Sequence, residues 1–330
     1  SCRFIKDFQT KQSKVGEENT GHNVSDERTV VPPTTPSSPN MKVEMDSRKR
    51  KESVNNVCEK LNLTKILELP ADRKDKKRMK QRLTFHRHLI FNKKHKVLFC
   101  FMPKVGCTTM KKLFVVMNNL YPSMERVNVR ELNKEIVRLD DKKIPENTRK
   151  HMLKDFYKFM IVRDPFERLV SAYRDKFIHK SNDTYFAKIR AKIIKRYRRN
   201  KKPIKNDDDV SFTEYIRHII DTPAWKLDDH WMPYEDLCRP CDVKYDFIGA
   251  IDTLERDLTY VMGQIHANET KYLVNQFSSR LAKAKQATAS FFKKLPQKYF
   301  DKLLAIRKTD FELFGYPLPE YQILDKHYHA

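Results

Sequence analysis

The chain is expected to fold as an α/β protein, with a parallel sheet flanked by helices and a polar segment ahead of it. Two observations predict the sheet: at Val97 and again at Phe156, a short apolar run passes through a tight turn into a helical pattern. A third, the polar composition of the first part of the chain, predicts the segment. The expected division is a disordered, basic stem or linker over residues 1–80 and one folded domain over 81–330. A chain of 330 residues carries ample apolar content for such a core.

The stem comes first. Residues 1 to about 60 contain the run VVPPTTPSSPN (Val30 to Asn40) and the basic cluster Arg48-Lys49-Arg50-Lys51, a composition that cannot bury enough surface to order itself. The cluster also fits a nuclear localisation signal, a weak match because short basic runs are common. VCEKLNLTKILEL (Val57 to Leu69) reads as a short amphipathic helix, and a basic stretch from Arg73 to Arg87 follows. Phe85 to Phe91 is expected to open the domain as a strand, with His86 and His88 facing solvent. No Cys or carboxylate stands near them at metal spacing.

Val97 to Met102 is a strand-length apolar run. Pro103, lacking an N–H, ends its ladder. Lys-Val-Gly-Cys-Thr-Thr follows, and then a helix with Leu113, Val116, Met117 and Leu120 on one side. This P-loop-like layout can hold a phosphate: unpaired N–H groups and a positive dipole at the helix start, close approach at Gly106, and the charge of Lys104. It lacks the Walker spacing. Phe156 to Val162 repeats the pattern, with Arg163 at the strand end, Asp164 as helix cap and Pro165 in the first turn. Leu169, Val170, Tyr173 and Phe177 give that helix one buried face. Arg163 and Ser171 could both reach a ligand lying across the carboxyl ends of neighbouring parallel strands. The bland alternative is that Arg163 and Asp164 form only a structural ion pair.

Together these stretches resemble the two nucleotide-binding motifs of sulfotransferases. PKVGCTT (Pro103, Lys104, Val105, Gly106, Cys107, Thr108, Thr109) is similar to the loop that holds the 5′-phosphosulfate of PAPS, 3′-phosphoadenylyl sulfate. RDPFERLVSAYRDKF, from Arg163 through Asp164, Pro165, Phe166, Glu167, Arg168, Leu169, Val170 and Ser171 to Phe177, is similar to the segment that holds its 3′-phosphate. KIIKRYRRN (from Lys192), HWMPYEDLCRPC (from His230) and YDFIGAIDTLERD (from Tyr245) look like the Golgi carbohydrate sulfotransferases of the chondroitin, dermatan and HNK-1 group, closest to the chondroitin 4-O-sulfotransferases. The resemblance covers roughly residues 81 to 325, and five motifs in order are far more specific than either nucleotide motif alone. It departs at Thr109-Met110, where many relatives have Asn-Trp. The resemblance implies the PAPS-dependent sulfotransferase fold and transfer of a sulfuryl group from PAPS, without a metal, to a glycosaminoglycan. The acceptor position it favours is the 4-position of N-acetylgalactosamine in chondroitin, with dermatan or a terminal glucuronate as alternatives. It further implies a type II protein of the Golgi lumen, whose membrane anchor would precede Ser1.

The rest of the chain adds to this. A net charge of +24 predicts a polyanionic partner. Ten Lys or Arg occur from Lys188 to Lys205 with no acid among them, on a helical spacing of Ile189, Ile193, Ile194 and Tyr197. Lys195, Arg196, Arg198 and Arg199 are therefore expected to bind an anionic polysaccharide acceptor. Nucleic acid is disfavoured because no reading module or stacking platform accompanies the charge. No run of roughly 18 apolar residues, the length that spans a bilayer, is present. Six cysteines permit disulfides in an oxidising compartment, and Cys238-Arg-Pro-Cys241 has no companion that would make it a zinc site. Cys107 is expected to pack under the loop. Sequons at Asn23, Asn62, Asn182 and Asn268 are compatible with a luminal protein. SFTEYIRHII (Ser211 to Ile220) reads as a helix with a capping box, Phe247 to Ile251 as a strand, Thr253 to Met262 as a helix, and Ala289 to Phe314 as packed helices.

Sulfuryl transfer needs in-line geometry and charge stabilisation, a task assigned to Lys104. Thr108 and Thr109 would hold the 5′-phosphate, Arg163 and Ser171 the 3′-phosphate. The acceptor hydroxyl needs a base, for which His151 and His230 stand equal, either of which could instead be structural. A P-loop kinase would need a Walker lysine and Mg²⁺ carboxylates that the sequence lacks. A non-catalytic polyanion-binding protein would explain the charge but not the two βα motifs.

Overall fold

The computed structural model describes residues 39–62, 67, 74–179, 183–198, 210–267 and 278–320. Its first element is not the expected stem. Helix α1 (Pro39–Lys60) buries Val43, Val54 and Val57, so the disordered reading of residues 1–80 does not hold for the described residues 39–62 and 74–80. Residues 1–38 lie outside the described residues. The helix α1 is too polar to order alone, and it is held by a sheet edge. The Ser47 hydroxyl accepts from the Ile248 N–H at 3.0 Å, Arg50 donates to the Ile248 carbonyl at 3.2 Å, and Lys51 donates to the Asp246 carbonyl at 3.0 Å. Two members of the supposed localisation cluster thus occupy edge hydrogen-bonding positions. The helix ends at Lys60, so the reading of Val57 to Leu69 as one helix fails as well.

The basic stretch after it is helix α2 (Lys76–His88), capped by Asp75, which accepts from the Arg78 N–H at 2.9 Å. It runs through the expected strand start. Only Leu89–Asn92 forms β1. His88 is 2% exposed and its Nδ1 lies 2.7 Å from the Thr84 carbonyl one turn back, so a helical period, not an alternating one, governs these histidines. Then follow β2 (Val97–Cys100), α3 (Cys107–Met117), α4 (Leu132–Glu135), α5 (Glu146–Asp155), β3 (Tyr157–Val162), α6 (Pro165–Tyr173), α7 (Thr184–Tyr197), α8 (Phe212–Ile220), α9 (Tyr234–Cys238), β4 (Phe247–Ala250), α10 (Leu254–Gln264), α11 (Ser278–Phe292) and α12 (Gln297–Phe314).

The sheet order is β1-β2-β3-β4. β2, β3 and β4 are parallel in the registers Val97↔Tyr157 and Phe159↔Phe247, and β1 is an antiparallel edge, Leu89↔Cys100. This is the α/β architecture the two βα units predict. Alternation divides the core. Leu98, Cys100, Met160, Val162 and Ile248 face the layer of α6, α8, α11 and α12, where Phe166 stacks on Phe292 at 4.4 Å. Phe99, Phe159, Ile161 and Phe247 face α3 and α10. Both faces are covered, as parallel sheets require. Two disulfides close long loops, Cys58–Cys241 and Cys100–Cys238. Each half of the C-x-x-C therefore pairs with a distant partner, and neither thiol is left for a metal or a redox dithiol. Among the described residues, no helix is long and apolar enough to cross a membrane.

Candidate functional site

The carboxyl ends of β2 and β3 bring the two singled-out loops together, as a parallel arrangement dictates. In the first loop, Lys104 and Gly106 both have positive φ, 74° and 77°. For lysine that conformation costs energy and needs the surrounding structure to hold it. Gly106 leaves room for nothing more: a Cβ there would meet Leu254 and Ile251 at 3.2 and 3.3 Å. Helix α3 starts at Cys107 with no side-chain cap. Among the described residues nothing accepts from the first N–H groups of α3 or bonds the hydroxyls of Thr108 and Thr109. These donors suit an oxyanion. Pro103 and Val105 are buried and shape the loop from below. Cys107 is a free thiol at the helix start, partly buried and packed against the core beneath the loop, as expected. Met110 is fully buried in the core, which makes the Thr109-Met110 departure a matter of packing.

The second loop differs from the first in one respect: Asp164 already caps α6, accepting from the N–H groups of Phe166 and Glu167 at 2.9 Å each. Arg163 pairs with Glu167 at 3.2 Å, not with Asp164, and donates to the Lys104 carbonyl at 3.2 Å, tying the two loops. Burial raises the Glu167 pKa, and Arg163 opposes it. Tyr234 clamps the same backbone, accepting from the Arg163 N–H at 3.0 Å and donating to its carbonyl at 2.7 Å.

Between the loops lies a cleft of about 450 Å³, lined by Lys104, Arg163, Glu167, Val170 and Ser171 of the expected set. Arg174, Asp175, His179 and Thr288 also line it, and the sequence reading did not select them. Arg174 had a signal, since it lies three residues after Ser171 on the same helical face. His179 and Thr288 had none. α6 continues as one π-helical turn, Arg174–Ile178, which presents Asp175 and Lys176. Lys104 pairs with Asp175 at 3.1 Å, and Lys176 with the same oxygen at 3.2 Å. Burial works against the Asp175 carboxylate, but the two lysines outweigh it and hold its pKa low.

Three residues expected to hold the ligand face inward instead. Phe166 and Leu169 are core side chains. Arg168 is 2% exposed, and its guanidinium donates to the carbonyls of Pro103 (3.2 Å), Met232 (2.7 Å) and Asp229 (2.9 Å). Helical periodicity explains this: Arg163, Glu167, Val170, Ser171 and Arg174 share a side, and Arg168 does not. Its work is to join the first loop to the turn that carries His230.

In that turn, His230 Nδ1 lies 2.7 Å from Asp228 Oδ1. An ionised carboxylate can only accept, so Nδ1 carries the proton and Nε2 is left basic. The His230 N–H and the Tyr185 hydroxyl also donate to Asp228, at 2.9 Å each. Burial lowers the His230 pKa, Asp228 raises it, and Lys176 and Lys104 lower it again. The net direction is down, which favours the neutral imidazole, and Lys104 is one of the charges that push it there. His151 sits elsewhere. It is exposed on α5 and paired with Asp155 at 2.7 Å. It does not line the cleft, and among the described residues no contact joins it to either loop. His230, by contrast, feels the charge of Lys104.

Of the four basic residues assigned to an acceptor, Lys195 and Arg196 are exposed on α7. Arg198 instead forms a fork on Glu214, with both bonds at 3.0 Å, part-buried beside the Ser211 capping box. Arg199 lies outside the described residues. No group of three His, Cys, Asp or Glu side chains is placed to hold a metal among the described residues.

Residues 87–317 match the model of the sulfotransferase family. Among curated proteins, carbohydrate sulfotransferase 14 of Danio rerio is 34% identical over 241 residues, 72% of this chain and 65% of the relative. Carbohydrate sulfotransferase 11 of Mus musculus is 34% identical over 249 residues, 72% of this chain and 70% of the relative. Carbohydrate sulfotransferase 10 of Pongo abelii is 33% identical over 241 residues, 69% of this chain and 66% of the relative. The match thus spans about two thirds of each relative's length. No solved structure matches the chain.

Proposed function

The chain belongs to the sulfotransferase family, and on that premise we propose that it transfers a sulfuryl group from PAPS to a hydroxyl of a glycosaminoglycan. The acceptor position we favour is the 4-position of N-acetylgalactosamine in chondroitin. The observation that carries this reading is the convergence of Lys104, Arg163 and Ser171 on one cleft, with the uncapped start of α3 following Lys104 in the same loop and His230 feeling the charge of Lys104. PAPS supplies the sulfuryl group and a phosphate leaving group. The α3 N–H groups with Thr108 and Thr109 suit its 5′-phosphate, and Arg163 with Ser171 suits its 3′-phosphate. Lys104 leaves Asp175 and places its ammonium on the charge that develops at the bond being broken. His230 takes the acceptor proton on Nε2, and Asp228 steadies the imidazolium that forms. Exposed Lys195 and Arg196 meet the acceptor's anionic groups. The two disulfides favour an oxidising compartment, in keeping with a Golgi-lumen enzyme.

The test is transfer of labelled sulfate from PAPS to desulfated chondroitin, dermatan and heparan, with disaccharide analysis of the product. Label at the 4-position of chondroitin is expected. Label only on dermatan, or only on a terminal glucuronate, would replace the acceptor. Absence of both transfer and PAP binding would leave a polyanion-binding protein.

A further inference from the structure

Besides Arg168, which holds its backbone, two cationic helices grip the carboxylates of the turn that carries His230. α7 grips it from its first turn, through the Tyr185 hydroxyl on Asp228. α2 grips it from its last turn: Arg87 donates to both oxygens of Asp229 at 3.0 and 2.8 Å, and His88 Nε2 lies 3.4 Å from the same carboxylate. From this shared point, each helix carries exposed cations outward. On α7 they are Lys188, Lys192 and Lys195, spaced by four and then three residues on one face. On α2 they are Lys80, Lys77 and Lys76, which lie back along the helix from Arg87. Several neighbours are already engaged, Arg78 by Asp75, Arg87 by Asp229 and Arg196 by Asp221. These six lysines have no carboxylate at ion-pairing distance among the described residues.

Each helix also offers an aromatic ring. Tyr185 is 52% exposed at the start of α7. Trp225 is partly exposed beside α2, with Lys80 5.7 Å and Lys226 4.8 Å from its ring centre. Aromatic rings take the apolar faces of sugars, and lysines between them take carboxylates or sulfates. With 13 and 14 residues, the helices extend about 20 Å each, enough for several sugars.

We infer that α2 is a second arm of the acceptor surface, and that the acceptor is a polyanionic glycan lying along both arms with an internal sugar at His230. A chain end would need one arm only. This rests on the sulfotransferase reading above and selects, within it, acceptors modified along their length.

The experiment uses the full chain and two triple variants, Lys76→Ala with Lys77→Ala and Lys80→Ala, and Lys188→Ala with Lys192→Ala and Lys195→Ala. Fluorescently labelled chondroitin polysaccharide and a chondroitin tetrasaccharide are titrated at several salt concentrations, with PAP affinity as the control for an intact donor site. Each variant is expected to bind the polysaccharide about tenfold more weakly, with a shallower salt slope because fewer counterions are released. The loss should be smaller for the tetrasaccharide, and losses should multiply when the two sets are combined. An α2 variant that keeps wild-type polysaccharide affinity and salt slope overturns the second arm, as does an equal loss on the tetrasaccharide. Tighter binding of an RNA than of chondroitin overturns the glycan occupant. Polysaccharide binding on both arms without sulfate transfer would instead sink the sulfotransferase reading and leave the arms standing.

Discussion

Asp228 accepts three hydrogen bonds at once, from His230 Nδ1, the His230 N–H and the Tyr185 hydroxyl, at 2.7, 2.9 and 2.9 Å. Asp228→Asn keeps the shape, removes the charge and turns one acceptor into a donor. If His230 is the base, it becomes an imidazolium during transfer, and the carboxylate is the group facing its Nδ1–H. A hydrogen bond to a charged partner contributes about 1.5–3 kcal/mol. At 1.36 kcal/mol per decade, kcat should fall roughly ten- to hundredfold. Affinity for PAP should hold, since Asp228 does not line the cleft. The pH profile adds a signed check. Asp228 raises the His230 pKa against burial, Lys176 and Lys104. Without the carboxylate the pKa falls further, and the acid limb of kcat moves to lower pH. The assay is steady-state transfer of labelled sulfate across pH, with circular dichroism to confirm the fold. A kcat within about twofold of wild type, too small a change for a lost charged partner, or an unmoved acid limb, would refute the assignment of His230 and Asp228.

Lys104→Ala should lower kcat by about a hundredfold or more, the scale of a lost transition-state donor, while the melting transition is unchanged; retained turnover removes Lys104 from the chemistry. His151→Ala should leave kcat at the wild-type value in the same transfer assay, because its ring is exposed on α5, paired with Asp155, and does not line the cleft; a loss equal to that of His230→Ala would reverse the choice of base. Lys176→Met deletes a charge that depresses the His230 pKa, so the acid limb should move to higher pH, and a shift the other way contradicts that electrostatic order. His88 bears on stability. Burial, only partly opposed by Asp229, lowers its pKa from 6.5 to about 4. Between those values the unfolded chain binds the extra proton, so this contribution, up to roughly 3 kcal/mol, is lost as pH falls from 6.5 toward 4. Urea unfolding across that window should show a shallower pH slope in His88→Asn than in wild type; equal slopes would show that His88 is not the group.

Much of the site was legible because its signals are local. The Pro103 to Thr109 loop is recognisable from a strand, a glycine and a helix start within a short stretch of chain. Asp164 before Pro165, and Ser211 three residues before Glu214, announce helix caps that the structure contains as read. The inward turn of Arg168 was not read, although the period of α6 implied it. What its guanidinium would find inside, carbonyls of Pro103, Asp229 and Met232, depends on segments more than sixty residues away. Phe85 to His88 was misread because an aromatic-histidine alternation over a few residues also satisfies the last turn of a helix.

By itself, the sequence determined the βα units, the helix caps, the phosphate-suited loop and the excess of positive charge. These follow from propensities and spacings within one or two turns of chain. Tertiary structure alone favours His230 over His151, since only the fold brings His230 within the field of Lys104 and Lys176. It also chose Cys58 and Cys100 as the partners of Cys241 and Cys238, and it ordered α1 against the β4 edge. In each case the deciding free energy comes from groups far apart in sequence, and no local pattern carries it.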